Sequence, residues 1–543
     1  MKKSLLILLS ILIIGLFLRV FKVTNYPLYG DELTIVQDAA SILHTGKDVN
    51  GKNFPLTFSM GAGRPGGYVY ASVPFVAVFG ENAYGVRGLS ILSGLGLIVL
   101  MYLLGKRLFS DKAGLIAAFL TAVSPWGLNL SRGGFEANFA LCLALGGVLL
   151  FLSGQKKPFY YVFSALVWGL TIFTYPTYKL VLPLFILVLI GFTGGVKSLF
   201  TGAHRKYLIA AILIGLFFGG LSLKESLKGG SESRFLSINV FAQEDLKKQV
   251  AQKVFFDRKF SGLPLSISRL FHNKNIEYFD LLKNGYLANF SVEYLFIAGD
   301  GNPRHNMTQS GVLFVVEIVL IVLGLTYLIK NNKKRETGLI VWWLLLSPLA
   351  TALILLPHSL RNAFMFPALT LLSTLGVLFV MEIQNRKTSM LIFSLIAAAW
   401  FIQAVFMFER LYFVSPVAFP RFWSVPAKTA SDLAISERGS FDYIILSDKI
   451  DSVEYAYPVY AKVPAVEVIN QNLKRDSLIG VSVKRFGNVY IGYFTPEQIK
   501  ELMSLKGKKL FIGNLNSDGR VPESKDIIGY EDPTQSIVVA RWN

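Results

Sequence analysis

The sequence predicts a polytopic α-helical membrane protein of about eleven transmembrane helices, ending in an α/β domain outside the bilayer. Three observations predict this. Of 543 residues 53% are hydrophobic and only 16% charged, too few charges to cover a water-soluble surface, which argues against disorder and against an ordinary cytosolic enzyme. The first 410 residues carry repeated apolar runs of membrane-crossing length. At about Ser415 the composition shifts to a more charged, strand-rich pattern.

The first run, Ser4 to Leu18, follows Lys2 and Lys3 and resembles a signal peptide. No A-x-A pattern follows, and Arg19 and Lys22 come directly after it, so it is expected to stay as a signal anchor. Further runs lie near 84–105, 113–130, 136–153, 159–175, 180–196, 207–222, 311–329, 338–356, 363–382 and 389–408. The segment 66–80 is apolar but short and holds Gly and Pro, and it is expected to lie at the interface. With that assignment the basic loops fall on one side. They contain Lys106, Arg107 and Lys112; Lys156 and Lys157; Lys197, Arg205 and Lys206; Lys330, Lys333, Lys334 and Arg335; and Arg386 and Lys387. The positive-inside rule then puts the N-terminus in the cytoplasm and the C-terminal domain outside a cytoplasmic membrane. Much of the +19 net charge thereby becomes a topology signal and an attraction to anionic membrane lipids, and nucleic acid is not expected as a partner.

The domains read as 1–410 in the membrane and 415–543 outside it. The membrane part has a first outer loop at 21–83 with interfacial helices and a long outer loop at 223–310. In 415–543, strand-like runs at 441–447, 488–494, 508–513 and 536–542 alternate with helical patterns near 428–437 and 496–505. No internal repeat of the kind many transporters carry is present. The single cysteine, Cys142, rules out an intramolecular disulfide and a cysteine metal site and is expected to pack as a small buried hydrophobe.

Polar groups gather in the outer loops. Asp31 and Glu32, in YPLYGDELT, are adjacent carboxylates at an apolar interface, an arrangement that suits a general base. An N-cap for an apparent helix over 32–43 explains Asp31 equally well. Arg132 and Glu136 are four apart in SRGGFE and could pair on one helical face. Tyr175 and Lys179 in YPTYK read as interface anchors or as part of a site. GDGNPRHN carries Asp300, Arg304 and His305, and PHSLRN carries His358 and Arg361. Carboxylates with Arg, Lys and His over a helix bundle suit an anionic lipid headgroup, which Arg grips as a fork and Lys as a point charge. No Walker A, H-E-x-x-H, G-x-S-x-G or D-x-D sequence is present, and the G-x-G-x-x-G at 61–66 contains Pro65 and is read as chance. No cofactor or metal is expected; a metal held by His305, His358 and the carboxylates is the alternative.

Over about 1–410 the chain resembles the membrane glycosyltransferases of the GT-C fold, in the group of protein O-mannosyltransferases and lipid A aminoarabinose transferases (glycosyltransferase family 39/83-like). The resemblance rests on Asp31-Glu32 after the first helix, on LGKRLF (104–109), on Ala113 to Pro125, and on Ser131-Arg132 with Glu136. It implies inverting transfer of a sugar from a polyprenyl-phosphate donor to a hydroxyl of a protein, lipid or glycan acceptor at the outer face. Asp31 would be the base and Glu32 would position it or the acceptor. Arg132, with Lys179, Arg304 and Arg361, would hold the donor phosphate. Two departures concern the acceptor: 223–310 shows no β-trefoil insert, and the C-terminal domain is not a constant family part. Alternatives are an oligosaccharyltransferase or polymer ligase using a pyrophosphate-linked glycan, a lipid-substrate transporter or flippase, and a non-catalytic envelope scaffold.

Overall fold

The computed structural model describes residues 2–59, 63–196, 202, 204–227, 239–241, 243–519, 521 and 524–543. Lys197, Gly61 and Ala62 of the G-x-G-x-x-G match, and 228–238 of the long outer loop lie outside the described residues.

The chain opens with α1 (Lys2–Val20) and α2 (Gly30–Thr45), then a two-stranded ribbon of β1 (Thr57–Phe58) and β2 (Arg64–Pro65). Next come α3 (Gly67–Phe79), α4 (Ala83–Leu108), α5 (Asp111–Val123), α6 (Pro125–Arg132), α7 (Glu136–Gly154), α8 (Tyr160–Ile172), α9 (Tyr178–Phe192) and α10 (His204–Leu227). In the long outer loop, the described residues include helices Glu244–Phe260, Leu265–Phe271 and Lys274–Ala288. The bundle resumes with α11 (Glu317–Lys330), α12 (Lys334–Leu346), α13 (Phe366–Met381) and α14 (Arg386–Glu409).

Every predicted apolar run contains a helix, but the helices differ in reach. Among the described residues six are long and apolar enough to cross a membrane, or seven if α5 and α6 count as one span bent by 56°. The bend has a local cause: Ser124 precedes Pro125, and the proline ring forces its backbone out of the helical region to ψ 136°. By contrast α8, α9, α11 and α12 have only 13 to 15 residues. At 1.5 Å per residue each is roughly 20–22 Å long, short of the ~30 Å hydrocarbon core unless flanking turns complete the crossing. The 66–80 segment is the 13-residue α3, likewise too short to cross. Apolar side chains left exposed on α1 (Leu5, Leu6), α10 (Leu216, Phe217) and α14 (Phe401, Phe406) are costly in water and natural against lipid.

Three basic loops meet the N-terminus at one end of the bundle. Asp111 accepts hydrogen bonds from Ser4 (2.6 Å) and Tyr102 (2.8 Å) and pairs with Lys106 (2.8 Å). Arg107 donates to the Leu152 carbonyl (2.6 Å), and His204 lies 3.3 Å from the Gln155 carbonyl.

Residues 425–543 fold around a seven-stranded mixed sheet. Its strands are β3 (Tyr443–Ser447), β4 (Asp476–Leu478), β5 (Val481–Phe486), β6 (Val489–Gly492), β7 (Lys509–Asn514), β8 (Ser524–Ile528) and β9 (Ile537–Trp542), in the order β4-β5-β6-β3-β7-β9-β8. The central β3 runs parallel to β6 and β7, and every other pairing is antiparallel. The four strand-like runs of the sequence are β3, β6, β7 and β9. Alternate residues of these strands feed two cores. Ile445, Tyr490 and Phe511 pack with Ile499 and Leu502 on one side. Ile444, Ile491 and Leu510 pack on the other, in a core shared with Leu33, Val36 and Ala40 of α2. The short helices Val453–Tyr460 and Ala465–Leu473 carry this contact, and Gln37 donates to the Tyr455 carbonyl across it (2.8 Å). Helix α2 is therefore enclosed between the first outer loop and the sheet domain, which explains why its residues Glu32 to Ile42 are all buried.

Candidate active site at the end of the bundle

The site grows from the first turn of α2. The helix begins at Gly30 with no side-chain cap, so Asp31 and Glu32 are first-turn residues and the N-cap reading of Asp31 does not hold. Carboxylates there complement the positive end of the helix dipole. Adjacent helical residues point about 100° apart, and the pair divides accordingly.

Glu32 faces inward. Its carboxylate is fully buried and bidentate to Arg87 of α4, with Nε at 2.7 Å and Nη2 at 2.6 Å, and it accepts the Gly134 N–H at 2.7 Å. Arg87 also donates to the carbonyls of Val23, Tyr26 and Pro27, so one guanidinium ties the α1–α2 connection to α4. Glu32, expected to position Asp31 or the acceptor, is turned into the protein against Arg87.

Asp31 faces outward, with its side chain 38% exposed. Arg64 of β2 places its Nη2 3.5 Å from it and its Nε 2.8 Å from Glu136, while its Nη1 donates to Thr34 (2.9 Å). Deeper along α2, burial pushes the Asp38 carboxyl up to about 7, although its Oδ1 accepts the Val49 N–H (3.1 Å).

The expected Arg132–Glu136 pair does not form. Gly133 is extended (φ −110°, ψ 163°) and separates α6 from α7, so the two residues do not share a helical face. Glu136 goes to Arg64. Arg132 is buried, and its Nη1 donates to the carbonyls of Leu18, Arg19 and Phe21 at 2.8 to 3.1 Å. These are carbonyls at the end of α1 that lack helical partners, a natural place for a cation. Its guanidinium lies 4.6 Å from the Tyr412 ring, and Nε and Nη2 make no hydrogen bond among the described residues. Arg132, expected on the donor phosphate, thus spends its Nη1 on the end of α1.

The two distant loop motifs come together. The Ser359 N–H donates to Asp300 Oδ2 (2.6 Å) and the Asn302 N–H to Oδ1 (2.9 Å), which fixes the carboxylate. The His305 and His358 rings lie 4.6 Å apart beside it. Burial holds the His358 imidazole well below its usual range. Arg304 donates to the Phe422 carbonyl and lies 4.9 Å from the Tyr29 ring. Arg361 is half-buried, and its Nη1 has no hydrogen bond among the described residues. Rings connect this cluster to Asp31: His305 is 5.6 Å from Phe135, which is 6.1 Å from Tyr29, two residues before Asp31.

Tyr175 and Lys179 lie to one side. The turn before them is tied to α3, with the Gly67 N–H donating to the Phe173 carbonyl (2.9 Å), three residues after Arg64. Lys179 lines an apolar cavity of about 500 Å³ walled by Trp168, Leu182, Ile186, Leu208 and Phe218. Cys142, expected as buried, is half-buried and faces Gly96 of α4.

Sequence reading missed Arg64 and Arg87. Arg87 had a signal, a charge inside the apolar run 84–105. Arg64 had none, because the Gly-rich stretch around it reads as a plain turn.

The class this architecture defines is a helical membrane protein of the GT-C fold. Residues 65–219 match the family model of dolichyl-phosphate-mannose-protein mannosyltransferases. The fold is similar to that of ArnT from Cupriavidus metallidurans bound to undecaprenyl phosphate, with a TM-score of 0.52 and 11% identity over 99% of this chain and 98% of that one. ArnT in the apo state gives the same values. An oligosaccharyltransferase from Archaeoglobus fulgidus is also similar, at 15% identity over 84% of this chain and a TM-score of 0.49; the match spans only 61% of that chain's length. No curated protein sequence matches significantly. Fold and family model agree with the resemblance drawn from the sequence.

Proposed function

We propose that this protein is a glycosyltransferase that moves a sugar from a polyprenyl-phosphate donor to a hydroxyl acceptor at the outer face of a cytoplasmic membrane, with inversion. The observation that carries the reading is the divided acidic pair: Asp31 is exposed next to Arg64, while Glu32 and Arg87 lock the helix turn that presents it. In this reading the acceptor oxygen attacks the anomeric carbon as the bond to the donor phosphate breaks. The phosphate leaves with the bonding electrons, and Asp31 takes the acceptor proton. The donor lipid enters from the bilayer by the apolar cavity, Lys179 meets its phosphate at the mouth, and Arg304 and Arg361 offset the charge the phosphate gains on leaving. Glu136 holds Arg64 beside the base. Eleven crossings, with the N-terminus inside and residues 415–543 outside, complete this reading.

The test is transfer from a labelled polyprenyl-phosphate sugar by purified protein in lipid nanodiscs. Asp31→Asn is expected to insert normally and lose roughly 10²- to 10⁴-fold in turnover. Near-wild-type turnover by that variant would overturn the base assignment. Transfer from a pyrophosphate-linked glycan instead would point to an oligosaccharyl or polymer transferase.

A further inference from the structure

We propose that Asp300, His305 and His358 form a divalent transition-metal site of Zn²⁺ type, the alternative that the sequence left open. The ligand atoms of the three side chains all lie within 4.8 Å of one another. His305 Nδ1 is 3.4 Å from Asp300 Oδ2 and His358 Nδ1 is 3.9 Å from the same oxygen. Both ring nitrogens are buried, and neither makes a hydrogen bond among the described residues.

Two buried imidazole nitrogens aimed at one carboxylate oxygen, without bonding it, form an expensive arrangement. A cation between them removes the expense. Two ligands bound at about 2.1 Å in a tetrahedral set sit about 3.4 Å apart, which is the scale of these separations. The donor set of two imidazoles and a carboxylate suits zinc and leaves a fourth position open, the pattern of sites that bind water or substrate. Asp300 already has the outer support such sites carry, with a backbone N–H on each oxygen. Asp257, His272 and Glu277 also bring their ligand atoms together, but Lys253 holds Glu277 at 2.6 Å, so that group has its cation already. The charge around the proposed site selects its fourth ligand. A divalent ion with one carboxylate leaves a net positive centre, and Arg304 and Arg361 belong to the same two loops. An oxyanion, such as a phosphate oxygen, is the complement.

The experiment uses full-length protein in detergent, stripped with a chelator and re-equilibrated with Zn²⁺ or Co²⁺. The wild type is expected to keep about one zinc ion per chain after desalting, and to show with Co²⁺ the visible absorption of a low-symmetry, four-coordinate site. His305→Ala and His358→Ala are expected to bind at least about tenfold more weakly, while His272→Ala binds like wild type. Wild-type protein that retains no zinc and shows no cobalt band would overturn the proposal, whatever the variants do. So would zinc retention that depends on His272 and not on His305. Both readouts are independent of sugar transfer, so failure here is separable from failure of the function proposed above.

Discussion

Glu32 and Arg87 lie side by side with no side-chain exposure, and the pair is worth more by its absence than by its presence. A buried ion pair gains little over well-packed apolar residues, but removing one partner strands a charge away from water. Glu32→Gln is therefore expected to cost about 3–5 kcal/mol of stability and most of the folded yield. The double variant Glu32→Gln with Arg87→Met should cost less than the sum of the two single changes. Thermal melting of the detergent-solubilised variants checks this, and strict additivity would mean that the two residues do not act as one unit. The same residues show the limit of reading a sequence by type. Asp31 and Glu32 are indistinguishable as an acidic dipeptide. Which one faces out is decided by a guanidinium 55 positions further along the chain. Arg132 and Glu136 mislead in a similar way: their spacing suits a helix, and the backbone at Gly133 breaks that helix.

At the scale of elements, α11 and α13 approach closely through glycine. A Cβ on Gly324 would strike the Leu372 carbonyl, and one on Gly376 would strike the Leu320 carbonyl. Small residues at such crossings let backbones pack where lipid supplies no hydrophobic drive. Gly376→Val is expected to force the helices apart at a cost of about 1–3 kcal/mol or more. Gly146→Ala, where an added Cβ meets nothing within 4 Å, should be neutral. Size-exclusion profiles and protease resistance of the two variants separate the cases, and an intact Gly376→Val protein would refute the crossing. Helix positions in the membrane were legible because long apolar runs announce themselves, as Ala83–Leu108 does. Helix lengths were not. The window rule sees composition, whereas α8 stops at a turn before Pro176 whose Phe173 carbonyl is taken by Gly67 of α3. In the sheet, the apolar β3, β6, β7 and β9 stood out. The polar edge strand β4 and the alternating β5 (VSVKRF) did not, because solvent-facing Ser477, Ser482 and Arg485 interrupt their apolar pattern.

For the whole molecule, the sheet domain and the membrane bundle share a core through α2, so they are coupled in stability. Removing 415–543 would uncover Leu33, Val36 and Ala40, which the sheet domain covers. A chain ending at 414 is expected to reach the membrane but aggregate on extraction. A monodisperse truncated protein would mean that the bundle stands alone. The coupling also changes how the protein can be imaged. A chain of 60.3 kDa buried largely in a detergent belt offers little for aligning single particles. An antibody fragment fixed to the outer surface of helix Pro496–Met503, which covers the other side of the sheet, would not touch α2, yet would be joined to Asp31 through packed residues throughout. It would serve as a rigid handle on the end of the molecule that carries Asp31.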